Sequence, residues 1–381
     1  MNAGIRQLLL LVGAVVFVDS VFYAALTPLL PQLADELELS KAAAGALAGA
    51  YAFGALAGGV PGGLAAARLG VKPTVLLGLA GMTATTVTFG FADTYWLLLV
   101  ARVVQGLASA FSWTAGLAWL VAAAPRGRRG ELIGAAMGSA IFGALFGPVI
   151  GALAVQTSRA LAFSTVAFLA LVLAGWALRT PAFLRGERQS PRMLLRPLRD
   201  RAGVTAIWLI ALPGLIFGAI SVLGPLRLDE LGFGGVAIGA TWLVAAGLEG
   251  TLAPVVGRVS DRRGRIAPLA VGLAGAAVVL PVLPLLEWGP LLALFIVVNA
   301  VAVGTLWAPA MSLLSDRADV LGLDQAFAFA LVSITWAAGA FVGPAAGGAL
   351  AQATRDAVPY ALLALACVLT LAALWRSAKS S

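Results

Sequence analysis

The sequence predicts an all-α integral membrane protein of twelve transmembrane helices arranged as two pseudo-symmetric six-helix bundles. Three observations carry this. Of 381 residues, 61% are hydrophobic and only 11% charged, with a mean hydropathy of +0.99; a water-soluble domain of this size could not build a charged exterior from so few ionisable groups. The apolar residues fall into twelve runs, each near the roughly 20 residues that span a bilayer core of about 30 Å. The two halves of the chain also repeat each other.

The twelve runs lie at 5–30, 42–66, 72–91, 95–123, 131–155, 160–178, 203–226, 235–257, 266–286, 290–314, 323–351 and 357–375. The first, continuously apolar from Leu8 to Leu30 apart from Asp19 and a few small polar residues, has one basic residue before that stretch, Arg6, and no small-residue cleavage site after a short core, so it is expected to be retained as a helix. Between the ninth and tenth runs Pro281, Pro284 and Pro290 break an otherwise continuous apolar stretch, and Glu287 marks the turn. The longest polar stretch, 179–202, carries seven arginines and divides the chain into an N-terminal bundle, 1–178, and a C-terminal bundle, 203–381. It reads as a linker lying along an anionic lipid surface, which attracts clustered basic residues.

Orientation follows from the basic residues. Of the 25 Lys and Arg, Lys41, Arg159, Arg227 and Arg355 fall on one side and Arg102 inside a helix; the other 20 fall on the opposite side. Both termini are therefore expected on the cytoplasmic face of a bacterial-type inner membrane. The same asymmetry accounts for the formal charge of +8 without a nucleic-acid partner. The chain has no histidine and one cysteine, Cys367, inside an apolar run. Metal centres, disulfides and cofactors are not expected, and proton chemistry would fall to carboxylates. No GxxxxGK[ST] phosphate loop is present, so ATP is not the evident energy source.

The repeat is specific. Gly143-Ala-Leu-Phe-Gly147-Pro148-Val-Ile-Gly151 returns as Gly339-Ala-Phe-Val-Gly343-Pro344-Ala-Ala-Gly347, 196 positions on. Gly63-Leu-Ala-Ala-Ala67-Arg68-Leu-Gly70 returns as Gly257-Arg-Val-Ser-Asp261-Arg262-Arg263-Gly264, followed by Arg265, 194 positions on. Parallel six-helix repeats about an axis along the membrane normal are an architecture of secondary transporters. The glycines of the first pattern remove side chains along one helix face and let backbones approach; Pro148 and Pro344 each remove one backbone hydrogen bond. The second pattern sets a glycine where two helices turn tightly and basic residues where they meet headgroups.

With these motifs, and with Arg102-Val-Val-Gln105-Gly106 and Asp19 followed by Pro28 and Pro31, the chain resembles the major facilitator superfamily over essentially its full length. It is most similar to the twelve-helix drug:proton antiporter branch. The resemblance implies the major facilitator fold, no enzymatic activity, and conformational roles for Gly63, Arg68, Gly70, Gly143, Gly147, Pro148, Gly151, Asp261, Arg262, Arg265, Gly343 and Pro344. It implies that the glycine face lines the contact between halves, and that an acid in the basic loop latches them. Here Asp261 keeps that acid while Ala67 stands in the first-half copy, so the latch is expected of Asp261 with Arg262 and Arg265.

Three ionisable residues lie deep in the runs: Asp19, Arg102 and Glu249. Such groups are costly in lipid and mark functional positions. At about 1.5 Å per residue, Asp19 and Arg102 come to similar depth, and the resemblance lets them face each other across a central cavity. The expectation is that Asp19 alternates between a proton and a cationic substrate while Arg102 holds it ionised; a permanent structural ion pair is the alternative. Glu249 reads either as a second proton carrier or as a partner of the arginines at its helix end. Phe22, Tyr23, Gln105, Trp113, Phe217, Asn299 and Trp307 are cavity candidates, although aromatics also anchor and pack membrane helices. Together they predict proton-coupled export of a lipophilic or cationic small molecule by a protein working as a monomer among membrane lipids. The alternative is a proton-coupled or facilitated importer of a small metabolite.

Overall fold

A computed structural model describes residues 3–123, 129–181, 196–322 and 325–380. Its long elements are twelve α-helices, all long and apolar enough to cross a membrane. They are α1 (Ala3–Glu36), α2 (Lys41–Leu69), α3 (Val71–Phe91), α4 (Tyr95–Ala123), α5 (Arg129–Gln156) and α6 (Arg159–Arg179), followed by α7 (Arg201–Glu230), α8 (Gly235–Arg263), α9 (Ile266–Val279), α10 (Gly289–Val320), α11 (Gln325–Ala353) and α12 (Ala357–Ser380). In lipid the backbone must satisfy its own hydrogen bonds, which is why every apolar run becomes a helix.

Several boundaries differ from expectation, and three of them bear on prolines. Helix α1 continues through Pro28 and Pro31 to Glu36, and α10 runs on to Val320; a lone proline forfeits a single backbone hydrogen bond that a long span can spare. Helix α9 stops at Val279, seven residues before the expected end at 286, and a 3₁₀ turn at Leu283–Leu285 carries the chain on. Pro281 and Pro284 lack the donors that would have extended it.

Helix ends are closed by specific groups. Ser158 accepts from Leu161 N at 3.0 Å to cap α6, and Asp200 accepts from Gly203 N at 2.8 Å to cap α7. Lys72 donates to the carbonyls of Leu178 and Thr180 at the far end of α6. The predicted tight turns occur at Gly70, with φ of +100°, and at Gly264, with φ of +83°. They occupy matching positions of the repeat, and a side chain there would be strained.

The chain forms two compact units, Met1–Leu29 with Ala50–Ser190, and Leu30–Gly49 with Pro191–Ser381. Residues 30–49 thus pack with the second unit although they belong to the first half of the sequence. There Lys41 Nζ meets both carboxylate oxygens of Asp356 at 2.7 Å, and a Cβ on Gly45 would collide with the Pro344 carbonyl.

The duplication is visible in how each unit packs internally. In the first, Cβ atoms on Gly143, Gly147 and Gly151 of α5 would strike the α1 carbonyls of Phe17, Val21 and Ala25. In the second, Gly339, Gly343 and Gly347 of α11 abut Ala211, Leu215 and Ala219 of α7, the positions 194 on from those three. Gly81 meets Ala108 between α3 and α4 just as Gly275 meets Ala302 between α9 and α10. The glycines of GxxxGPxxG therefore face the first helix of their own unit, the close backbone approach that small residues permit in lipid.

Candidate functional site

The first unit buries a polar cluster at the middle of α1, α2 and α4. Helices α2 and α4 cross on glycine: a Cβ on Gly54 would collide with the Val103 carbonyl, and one on Gly106 with the Tyr51 carbonyl. This close crossing is the physical meaning of the glycine in Arg102-Val-Val-Gln105-Gly106, and it carries Tyr51 to Asp19. The Asp19 side chain is only 3% exposed. Tyr51 Oη donates to its Oδ1 at 2.6 Å and Trp113 Nε1 to its Oδ2 at 2.6 Å. The Ser109 hydroxyl, one turn before Trp113 on α4, lies beside them. Two neutral donors thus hold a carboxylate in the apolar interior.

Arg102 is equally buried, and the permanent ion pair held as the alternative is not formed, since no ion pair joins it to Asp19. Its Nη1 donates to the Phe22 carbonyl at 3.1 Å and to Gln105 Oε1 at 3.0 Å, and its Nη2 to the Tyr23 carbonyl at 3.3 Å. The guanidinium carbon lies 5.0 Å from the Tyr51 ring centroid and 5.7 Å from that of Phe89, within cation–π range. Gln105 Nε2 in turn donates to Thr86 Oγ1 at 2.8 Å. Tyr51 therefore stands between the two charges, its hydroxyl on Asp19 and its ring against Arg102. The separation follows from the glycine crossing, which inserts the phenol where sequence depth alone leaves the two charges face to face.

Around this cluster the Phe163 ring stacks on Phe22, with centroids 6.3 Å apart, and lies tilted against Phe89 at 4.9 Å, and the Tyr23 ring lies 5.2 Å from that of Tyr51. The predicted residues Asp19, Arg102, Gln105, Phe22, Tyr23 and Trp113 are thus brought together. Tyr51 and Ser109 were missed. Tyr51 is an isolated phenol in an Ala- and Gly-rich helix, and Ser109 shares a face of α4 with Arg102, Gln105 and Trp113; those were the available signals.

The second unit brings together another predicted pair. Glu249 of α8 lies beside Trp307 of α10, and it packs on Gly304, where an added Cβ would lie 2.7 Å from Glu249 Cγ. Asn299 is 3% exposed, and its Oδ1 has no partner among the described residues. Phe217 is 36% exposed. In the basic loop, Arg265 pairs with Asp316 of α10, Arg68 and Arg262 are exposed, and the Asp261 side chain lies outside the described residues. Arg265 thus makes a contact within its own unit.

Outside the spans, Asp200 makes a two-pronged ion pair with Arg317, at 2.6 and 2.7 Å. That guanidinium, with the Gly203 amide, holds the Asp200 carboxyl below the usual carboxylate range.

Twelve membrane-length helices in two internally matched units define a polytopic membrane protein of repeat architecture. Residues 12–323 match the Major Facilitator Superfamily profile, and the chain belongs to that superfamily. It is similar to multidrug resistance protein MdtH of Enterobacter sp. (strain 638), 27% identical over 83% of this chain and 80% of that one. It is similar to the chromaffin granule amine transporter of Rattus norvegicus, 26% identical over 75% of this chain and 56% of that one. The chain spans about two fifths of the length of the fungal MFS-type transporters that it also matches. The structure of a bacterial homologue of the human lysosomal transporter Spinster, inward-facing and occupied, superposes with a TM-score of 0.77 over all of this chain and 96% of that one. At 15% identity that likeness concerns the fold alone.

Proposed function

We propose that the protein is a secondary transporter that exports a lipophilic or cationic small molecule in exchange for protons, with Asp19 as the exchanging group. The observation that carries this reading is the Asp19 carboxylate itself, buried at 3% exposure and held by Tyr51 and Trp113 rather than by a cation. An ionised carboxylate in an apolar interior is costly unless a positive charge reaches it. A proton and an organic cation both supply that charge, and they cannot both occupy it. Competition for one site couples the two flows. Trp113, Tyr51 and Tyr23 provide aromatic surface that favours a cation. Arg102, one ring away and anchored to α1 carbonyls, provides a fixed positive charge that offsets Asp19 when the substrate leaves.

The similarity to a multidrug resistance protein and to an amine transporter supports the same substrate chemistry. The excess of Lys and Arg on one side of the membrane supports both termini being cytoplasmic. Flexible exchange is further served by the glycine faces of α5 and α11, and by Pro148 and Pro344 within them.

The test is transport in inverted vesicles with an imposed pH gradient, using ethidium and a panel of quaternary amines. Wild type should accumulate the cations only while the gradient lasts, and Asp19→Asn should reduce gradient-driven uptake by at least about 100-fold, the effect expected when a buried charge that discriminates states is removed. Undiminished proton-driven uptake by Asp19→Asn rules the assignment out.

A further inference from the structure

The membrane face opposite the two termini is poor in basic residues: of the 25 Lys and Arg, only Lys41, Arg159, Arg227 and Arg355 fall on it. Three of those four, Lys41, Arg227 and Arg355, line a single cavity of about 470 Å³ in the second unit, together with Pro284, Thr354 and Asp356. That volume lies within the roughly 300–1,000 Å³ of small-ligand clefts. Membrane topology keeps basic residues scarce on this face; it does not ask that they be gathered in one place.

The local sequence fixes the walls. Gly348 lets α2 begin directly on α11, since a Cβ there would collide with the Lys41 carbonyl, and Gln352 Oε1 accepts from Lys41 N at 3.2 Å. The Lys41 ammonium is thereby held at the start of α12, where it meets both Asp356 oxygens at 2.7 Å. Arg227, in the last turn of α7, pairs with Glu230 at 2.9 Å, and Glu230 also lies 3.9 Å from Lys41. Pro284 belongs to the 3₁₀ turn after α9, beside Leu285 and close in sequence to Trp288, both largely exposed. Aromatic and apolar side chains exposed at a helix end sit at the level of lipid headgroups.

Two carboxylates, Asp356 and Glu230, thus answer three cations. Arg355 is exposed and makes no ion pair among the described residues. Arg227 Nε is buried with no partner among them, and an orphaned donor on a charged group is costly unless something meets it. The Thr354 hydroxyl is spent on the Leu350 carbonyl, so the unspent donors are those of the two arginines. A guanidinium fork matches two oxygens of a phosphate group, and the excess of one positive charge equals the charge of a phosphodiester. We propose that Lys41, Arg227 and Arg355 form a binding site for a phosphate group, carried by a lipid headgroup or by a free ion, on the membrane face opposite the termini. The site shares no residue with the Asp19 cluster and does not rest on the export reading.

The test is calorimetric titration, at low salt, of the full chain purified in a maltoside detergent, with two probes: inorganic phosphate and the soluble lipid dihexanoylphosphatidylglycerol. Wild type should bind at least one of them saturably. For the tighter probe, Arg355→Ala and Arg227→Gln should each weaken binding by at least about tenfold, the loss of one charge-assisted hydrogen bond, and Arg355→Lys by less. Asp356→Asn, which releases the Lys41 ammonium, should tighten it. Arg159→Gln, on the same face but outside the cavity, should bind as wild type does. Tighter binding of the lipid supports the site with a headgroup as its source; equal or tighter binding of inorganic phosphate supports it with a free ion. Where Arg227→Gln folds poorly, the exposed Arg355 decides the question. Failure of both probes to saturate, affinity unchanged in Arg355→Ala, or an equal loss in Arg159→Gln overturns the site.

Discussion

The two halves share a scaffold to within a carbonyl and differ where chemistry is concentrated. Phe17, Val21 and Ala25 receive the α5 glycines as Ala211, Leu215 and Ala219 receive those of α11, yet the polar cluster of the first half has no copy. Where the first half has Asp19, Tyr51, Arg102 and Ser109, the matching second-half positions hold Pro213, Ala245, Ile296 and Val303. Only the amide and the indole persist, as Gln105 and Trp113 against Asn299 and Trp307. The lesson is that backbone packing constrains a duplicated membrane fold more tightly than its buried charges do. Packing glycines must match a carbonyl at contact distance, whereas an acid can reach the same indole from α1 or from α8.

That contrast can be broken most sharply at Arg102. Converting it to the second-half residue, Arg102→Ile, leaves Asp19 with no cation in its cluster and strips donors from Phe22, Tyr23 and Gln105. A loss of about 3–5 kcal/mol is expected, the cost of breaking a buried charge network by removing one member. Thermal unfolding in detergent would register it, and a variant as stable as wild type would mean that the cluster does not need its cation.

A smaller effect is expected at the helix crossing. Gly106→Ala forces a methyl against the Tyr51 carbonyl and should cost about 1–3 kcal/mol by overpacking, together with loss of proton-driven transport as Tyr51 is pushed from Asp19. The second half holds Ala300 at that position and Leu248 where the first holds Gly54. Ala300→Gly should therefore cost only about 1 kcal/mol, through helix propensity. Equal losses from the two substitutions would show that α2 and α8 cross their partners alike.

The smallest effect sharpens the boundary between span and loop. The Asp200 carboxyl is held below its ordinary range by Arg317 and the Gly203 amide, so the folded state binds its proton more weakly than the unfolded state does. The resulting stabilisation is complete above the unfolded carboxylate pKa and is lost as pH falls through the folded one. Asp200→Asn keeps a side-chain cap for α7 but loses the ion pair. Its melting temperature should lie slightly below that of wild type at neutral pH and converge with it in acid; a difference that persists in acid would assign the effect to the cap.

Much of this was legible in the sequence. Twelve helices follow from what lipid forbids, unpaired backbone, and the cost of ionisable groups there is what singles out Asp19, Arg102 and Glu249 in the sequence. The glycine turns at Gly70 and Gly264 were legible because a positive φ has few other solutions. Asp19 and Arg102 were expected at similar depth and, by the resemblance, facing each other; a phenol stands between them instead. Helical rise gives a residue's height in the membrane, but a helix apolar all around shows no polar stripe from which to read its rotation. Tyr51 and Ser109 were missed for the same reason, since a phenol or a hydroxyl in an apolar helix is ordinary until its facing neighbour is known. The sequence alone determined which elements form, how often they repeat and at what depth each charge lies. Tertiary structure alone decided which way each helix turns, that glycines 54 and 106 bring α2 against α4, and hence that a phenol stands between the carboxylate and the guanidinium.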